Sequence, residues 1–162
     1  MRARTHRIVK RLGAIVCLSL CASCSKESPP KIDSLQFPVV ILFGNSATRV
    51  CKDPADLTTM HTNYVVLIEG TPMLIDSQFK IYAVERLRST HNDMWLMAHP
   101  SGLTEVTFEL KAQRSGREAA RELFTRQLEK QTWLTDLDER RHSLRAKQSL
   151  LEMAAVVQSQ RE

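Results

Sequence analysis

The spacing of apolar positions changes near residue 115 and divides the chain into a β-rich part and a helical part. Residues 103–110 alternate apolar and polar side chains, which is typical of a strand with one buried face. Residues 35–43 are rich in β-branched and aromatic residues and stop at Gly44, so they predict a buried strand. Further strands are predicted at 64–68, 73–76 and 94–98, the first two joined as a hairpin through residues 69–72. Residues 79–87 mix strand-like alternation with the spacing of a helical turn, which predicts a strand that breaks into a turn.

The period becomes helical after Ser115. Ser115 and Glu118 have the spacing of a capping box, and one face of the following helix carries Ala120, Leu123, Phe124 and Leu128. A second helix is predicted from about residue 136 to 157. In that helix Leu137, Leu144 and Leu151 recur every seven residues. This stripe predicts a tail helix that lies along its own domain, with docking of a protein partner's helix as the alternative.

These elements predict an α+β fold, in which an antiparallel β-sheet, a meander of about six strands, is followed by two C-terminal α-helices. The order of a meander and then an amphipathic helix is also similar to PH-like domains, so a PH-like barrel with a C-terminal helix is the alternative. A short helical turn is predicted after Asp53, which would cap it, with Pro54 in the first position. The α+β domain with its first helix is placed at 36–132 and the C-terminal helix at 133–162.

The first 23 residues have the order of a secretory signal peptide. Five basic residues and no acidic ones precede an apolar run at 12–22 that ends in small residues. About 20 apolar residues are needed to span a bilayer, so the run is too short for a stable transmembrane anchor. The leader is therefore expected to be removed.

The leader ends in Leu20-Cys21-Ala22-Ser23-Cys24. This stretch resembles the lipobox of bacterial lipoproteins, although the family usually has Leu, Ile or Val where this chain has Cys21. The resemblance implies that Cys24 becomes the mature N-terminus and carries palmitate-type acyl chains that attach the protein to a membrane. Residues 24–35 would then form a lipidated tether. Ser25 after the cysteine implies the periplasmic face of a cell outer membrane.

Removal of the leader changes the charge of the protein. The whole chain has 23 basic and 18 acidic residues, and the five basic residues of the leader leave 18 of each sign. A neutral mature chain gives no support to a nucleic-acid partner. Cys17 and Cys21 leave with the leader, so Cys51 remains as a lone thiol that is predicted to be buried, with a disulfide bridge as the alternative.

Residues that could carry chemistry are few. Ser46, His61 and Asp76 have the residue types of a hydrolytic triad, and Lys80, Arg86 and Arg88 could meet an anionic ligand, but solvated loop and strand positions are the expected roles. Trp95 and Trp133 are predicted to be buried between sheet and helix.

Sites for metals and cofactors are not predicted, because none of the histidines at 61, 91, 99 and 142 has metal-ligand spacing. No catalytic residue is assigned. The sequence therefore predicts a non-catalytic cell-envelope lipoprotein that presents a small binding or interaction domain at a membrane surface. A small periplasmic hydrolase and a ligand carrier are the alternatives.

Overall fold

The computed structural model of the protein describes residues 30–66 and 70–158. Its strands are β1 (Val39–Leu42), β2 (Thr48–Cys51), β3 (Thr59–His61), β4 (Met73–Ile75), β5 (Lys80–Ser89) and β6 (Leu103–Ser115). Its α-helices are α1 (Pro54–Thr58), α2 (Thr62–Val66), α3 (Asp93–Ala98), α4 (Arg117–Glu129), α5 (Leu137–Ala146) and α6 (Leu150–Gln158). Within the predicted tether, Ile32–Ser34 form a 3-10 turn and Leu35 is buried.

The six strands form one antiparallel sheet in the order β2-β1-β4-β5-β6-β3. This sheet curls into a half-barrel and is followed by the C-terminal helices, which confirms the predicted α+β fold; the barrel-like alternative also fits. Strands β4, β5 and β6 follow one another in sequence and in space. Strand β3 instead crosses to the far edge and pairs with β6.

Two apolar clusters cover the two faces of the sheet. Strand β1 contributes to both clusters, because alternate side chains of a strand point to opposite faces of the sheet. All four of its residues are buried. The cluster inside the half-barrel includes Val39, Ile41, Phe43, Leu57, Met60, Leu74, Val84 and Leu110. The outer cluster joins Val40, Leu42, Ile75 and Ile81 to helices α4, α5 and α6. Helices thus cover the outer face of the sheet around β1.

Helix α4 packs with the predicted face. Ala120, Phe124 and Leu128 are buried, and Leu123 is partly buried against the same cluster. The predicted capping box at its start is wrong, because Ser115 is still the last residue of β6. Gly116 precedes the helix with a φ of 120°, a conformation that favours glycine, and no side chain caps the first turn.

The predicted helix from about 136 to 157 consists of two helices, α5 and α6. The break between them is caused by two nearby residues, Ser149 and Glu152. The amide of Glu152 donates to the hydroxyl of Ser149 (3.2 Å), and the amide of Ser149 donates to a Glu152 carboxylate oxygen (3.0 Å). This is a capping box, and it starts a new helix at Leu150.

Two predicted strands are helical in the structure. Residues 94–98 belong to α3, which begins where the Asn92 side chain accepts a hydrogen bond from the amide of Trp95 (2.9 Å). Residues 64–66 belong to α2, so the predicted hairpin between 64–68 and 73–76 is also wrong. Both helices have only five or six residues, and over so short a length an apolar run does not distinguish a strand from a helix.

Arg49 of β2 holds the two edges of the half-barrel together through α1. Its guanidinium donates to the carbonyls of Asp56 (2.8 Å) and of Thr59 (2.9 Å), the first residue of β3. It also forms an ion pair with the Asp56 carboxylate at 3.0 Å. The predicted cap of α1 is confirmed, because Asp53 accepts a hydrogen bond from the amide of Asp56 (2.8 Å).

We expect Asp56→Asn to lower the free energy of unfolding by about 1 kcal/mol at pH 7. A hydrogen bond from the backbone amide of Lys52, and then Arg49, lower the pKa of Asp56. A carboxyl group whose pKa is lowered by folding stabilises the fold above its unfolded pKa and loses that contribution as the pH falls through the folded value. The difference between wild type and variant should therefore shrink as the pH falls below the unfolded aspartate pKa of about 4.

Urea unfolding at several pH values measures this difference. Asp138→Asn is the control, because Asp138 also pairs with an arginine but its side chain is 97% exposed. A gap between wild type and Asp56→Asn that stays constant across this pH range would contradict the assigned role of Asp56.

Candidate functional site

One edge of β5 is left unpaired in the described part of the chain. Strand β4 pairs only with residues 81–83, and the ladder ends where the amide of Val84 donates to the carbonyl of Pro72 (2.9 Å). Proline has no backbone N–H to return the bond, and Gly70, with a φ of 68°, lies two residues before it. Strand β5 continues to Ser89 with β6 on its other side. Residues 85–89 therefore present a strand edge.

Helices α2 and α3 form the wall opposite this edge and are tied to each other. The Thr62 hydroxyl donates to the carbonyl of His99, and the Thr62 amide donates to the carbonyl of Gly102 (3.0 Å). Thr62 is fully buried, so these bonds are shielded from water. The groove therefore lies between the β5 edge and two helices that are joined by hydrogen bonds.

The groove has a volume of about 530 Å³. Its apolar lining comes from Val65, Pro72, Val84, Leu87 and Leu96. Its polar lining comes from residues 85, 86, 88, 89, 91 and 93. This combination of an apolar floor with a polar rim is typical of binding grooves.

The β5 rim of the groove carries more positive than negative charge. Arg86 and Arg88 both contact the single carboxylate of Glu109, each at 3.4 Å. Both arginine side chains are more than half exposed. Glu85 on the same strand is paired with Lys111 at 3.0 Å. Within residues 30–66 and 70–158, one of the two arginine charges on this rim is thus left without a carboxylate of its own.

A hydrogen-bonded network connects the end of β5 to the segment before α3. The hydroxyls of Ser89 and Thr104 are 2.6 Å apart, and the Thr104 hydroxyl is 2.9 Å from Nδ1 of His91. The His91 ring stacks on Trp95, with ring centroids 3.7 Å apart, and His99 stacks on Trp95 at 4.5 Å. Trp95 is half-buried in this stack. The prediction that it packs between sheet and helix is therefore wrong.

Apolar side chains are exposed beside the groove. Met94 is 77% exposed and Met97 is 64% exposed, both on α3. A second, smaller cavity of about 190 Å³ lies between α2 and α3, with Met97, Val66 and Leu96 among its lining residues. Leu96 lines both cavities, so apolar surface continues from the groove over α3. Methionine side chains at such a surface can adapt to different occupants.

The residues of the considered triad are placed apart. His61 and Asp76 lie near opposite ends of β6. His61 pairs with its first residue, Leu103. Asp76 is hydrogen-bonded to Lys80, which pairs with the last residue of β6. Ser46 lies in the loop after β1, at the opposite end of that strand from Asp76. The fold does not bring these three side chains together.

Asp76 has a structural role in the β4–β5 turn. Its buried carboxylate accepts hydrogen bonds from the amides of Gln78 and Lys80, each at 2.9 Å. These bonds hold a tight turn in which Phe79 adopts a φ of 60°. Lys80 lies at the opposite end of the ten-residue β5 from Arg88, so the expected cluster of Lys80, Arg86 and Arg88 is reduced to the two arginines.

Trp133 is 49% exposed, and the prediction of its burial is wrong. It lies between α4 and α5, outside the periodic face of either helix, and lines a cavity of about 420 Å³ beside Ser46 and Gln131. In the leucine stripe, Leu144 is buried, Leu137 is partly buried and Leu151 is 48% exposed. The stripe therefore packs in part on its own domain, and its use by a protein partner stays a prediction.

Cys24 and the predicted signal peptide lie outside the described residues. Cys51 is a free, fully buried thiol, as predicted. Burial raises the pKa of this thiol to about 12. Because the thiolate is the reactive form, Cys51 is suited to packing and not to nucleophilic chemistry.

Sequence reasoning identified Arg86 and Arg88 as candidates but missed the groove beside them. The relevant signal is Pro72, which the sequence places in a predicted hairpin turn, although in the structure it ends the β4–β5 ladder. The helices of the opposite wall were predicted as strands. The groove therefore could not be assembled from the sequence.

Among residues 30–66 and 70–158, no group of three or more histidine, cysteine or acidic side chains could hold a metal ion. The helices within these ranges include none with the length and apolar character required to cross a bilayer. A scan against family models found no match to this chain, and searches of curated proteins and of solved structures found none either.

Proposed function

We propose that the protein is a lipid-anchored component of the bacterial cell envelope that acts by binding, not by catalysis. The lipobox-like stretch that ends in Cys24 is the observation that carries this proposal. Two acyl chains hold a protein stably at a membrane, whereas one gives only marginal attachment. The described domain would then be presented on the periplasmic face of an outer membrane.

The groove between β5 and helices α2 and α3 supports the binding role. It combines an open strand edge, an apolar floor and two exposed arginines, and each of these features can recognise a partner. The groups needed for a hydrolytic triad are separated along the strands. A small interaction domain beside a membrane is thus the function that agrees best with both the leader and the fold.

Expression in a Gram-negative host with an alkyne-tagged palmitate analogue tests the anchor. We expect the wild-type protein to take up the label and to partition into the detergent phase of Triton X-114. Cys24→Ala should lose the label and move to the aqueous phase, because it removes the sulfur that would be acylated. Cys21→Leu is the matched control, since it removes a neighbouring thiol and restores the residue that the lipobox usually has.

Label and detergent partitioning that persist in Cys24→Ala would contradict the proposal. Loss of label in Cys21→Leu with retention in Cys24→Ala would place the acylated residue elsewhere and would contradict it too.

A further inference from the structure

We infer that the groove binds an extended acidic peptide, which joins the sheet as an additional strand on the free edge of β5. This inference deepens the binding role proposed above and rests on it. Strand addition is a common mode of peptide recognition, in which main-chain hydrogen bonds supply affinity and alternate side chains supply specificity. The backbone, the groove and the charges of β5 each point to such an occupant.

The backbone of β5 has the required hydrogen-bonding groups. The amide of Thr90 donates to the carbonyl of Glu105 (3.0 Å), so the backbone of residue 90 faces β6. The backbone N–H and C=O groups of successive residues in an antiparallel strand point alternately to the two sides. Those of Arg86 and Arg88 therefore point toward β6, as at residue 90. Those of Leu87 and Ser89 point toward the groove. An extended peptide would satisfy the amides and carbonyls of Leu87 and Ser89.

The two sides of the groove define which side chains the peptide should carry. A strand beside β5 would direct alternate side chains toward the outer face, where Arg86 and Arg88 are exposed around one carboxylate. Its other side chains would face Leu87 and Leu96. Asp93 on the α3 wall would repel an acidic group placed on that side. We therefore expect acidic and apolar residues to alternate.

The same charges argue against a second copy of this chain as the occupant. Two β5 edges that paired about a two-fold axis would place the Arg86 and Arg88 side chains of both copies on adjacent strands. Like charges that face each other across strands destabilise the pairing, and charged edge residues protect proteins from association through sheet edges. An acidic peptide would instead gain from these arginines.

A displayed library of random 12-residue peptides, selected on the purified full-length protein in detergent micelles, tests this inference. The enriched peptides should alternate acidic and apolar residues. Two versions of an enriched peptide are then synthesised. One carries N-methyl groups on the backbone amides of its odd-numbered residues, and the other carries them on the amides of its even-numbered residues. Only one register faces β5, so one version should lose about tenfold or more in affinity while the other binds as before. The bound peptide should also slow hydrogen exchange at the amides of Leu87 and Ser89.

Charge-reversal variants provide the second comparison. Arg86→Glu with Arg88→Glu should weaken binding of the acidic peptide about tenfold or more. Arg114→Glu with Arg126→Glu is the matched control, because these two arginines also share one carboxylate, that of Glu122, and are equally exposed. The control pair changes the net charge by the same amount and should leave binding unchanged.

Three results would overturn the inference: no peptide enriched above micelles alone, equal tolerance of both N-methyl registers, or equal losses in both double variants. The peptides are selected on the purified protein whether or not its N-terminus is acylated. A negative peptide result therefore leaves the lipid anchor untouched, and a negative acylation result leaves the groove test valid.

Discussion

Leu144→Ala is expected to lower the free energy of unfolding by about 3 kcal/mol, within the range found when buried leucines are replaced by alanine. Leu144 is fully buried in the outer cluster, where helices α4, α5 and α6 meet. Its removal leaves a cavity among tightly packed neighbours and separates α5 from the sheet side of the domain. Guanidinium chloride unfolding followed by circular dichroism measures the loss.

Leu151→Ala is the matched control for this substitution. Both leucines belong to the seven-residue stripe, but Leu151 is 48% exposed and its truncation should cost less than about 1 kcal/mol. Equal losses in the two variants would contradict the assigned burial. A large effect at Leu151 alone would instead indicate that the stripe packs against a partner in solution.

Asp76→Ala is expected to destabilise the domain by about 2–3 kcal/mol. The substitution leaves the amides of Gln78 and Lys80 without their shared acceptor, the buried Asp76 carboxylate. It also removes the support of a turn in which Phe79 adopts a left-handed φ that a side chain disfavours. Asp76→Asn keeps one acceptor oxygen in place and should cost about 1 kcal/mol less.

The same measurement separates a structural role of Asp76 from a catalytic one. Chemical unfolding should rank wild type above Asp76→Asn and Asp76→Ala last. If Asp76→Ala unfolds at the same denaturant concentration as wild type, the turn does not depend on this carboxylate. The pKa of Tyr82, raised by burial and then by Asp76, should fall when the charge is removed, and ultraviolet titration would detect that shift.

The fold class could be predicted because most strong periodic signals in the sequence agree with the structure. The alternation in residues 103–110 and the 3–4 spacing in α4 each extend over enough residues to define one buried face. Residues 79–87 gave a mixed pattern, and the structure explains it. The β5–β6 register shifts between Val84 and Arg86, so the alternation of buried positions is interrupted there.

The parts that could not be predicted depend on single hydrogen bonds and on contacts distant in sequence. Helix α3 begins at the Asn92 cap. Of its residues Trp95 favours strands, whereas Leu96 and the two methionines are good helix formers, so the apolar run by itself did not define a strand. Helix α6 begins at the Ser149 capping box, whose pattern also occurs at Ser115, where the strand continues instead. Local signals of equal strength were thus decided by tertiary pairing.

The candidate groove also has parts that could be predicted from the sequence and parts that could not. Arg86 and Arg88 could be identified as an exposed basic pair from the sequence. The structure gives these arginines a different role from the one predicted. Pro72 ends the β4 ladder, so the arginines flank a strand edge that no described strand covers. That relation needs the sheet order, which no local pattern contains. The predicted leader is the opposite case, since its recognition would depend on a contiguous stretch of residues.

The intact mass of the protein extracted from membranes tests the central claim most directly. We expect a chain that begins at Cys24, lacks the preceding 23 residues and carries several hundred daltons of acyl groups on that residue. A mass that corresponds to the unmodified chain from Met1 to Glu162 would contradict it.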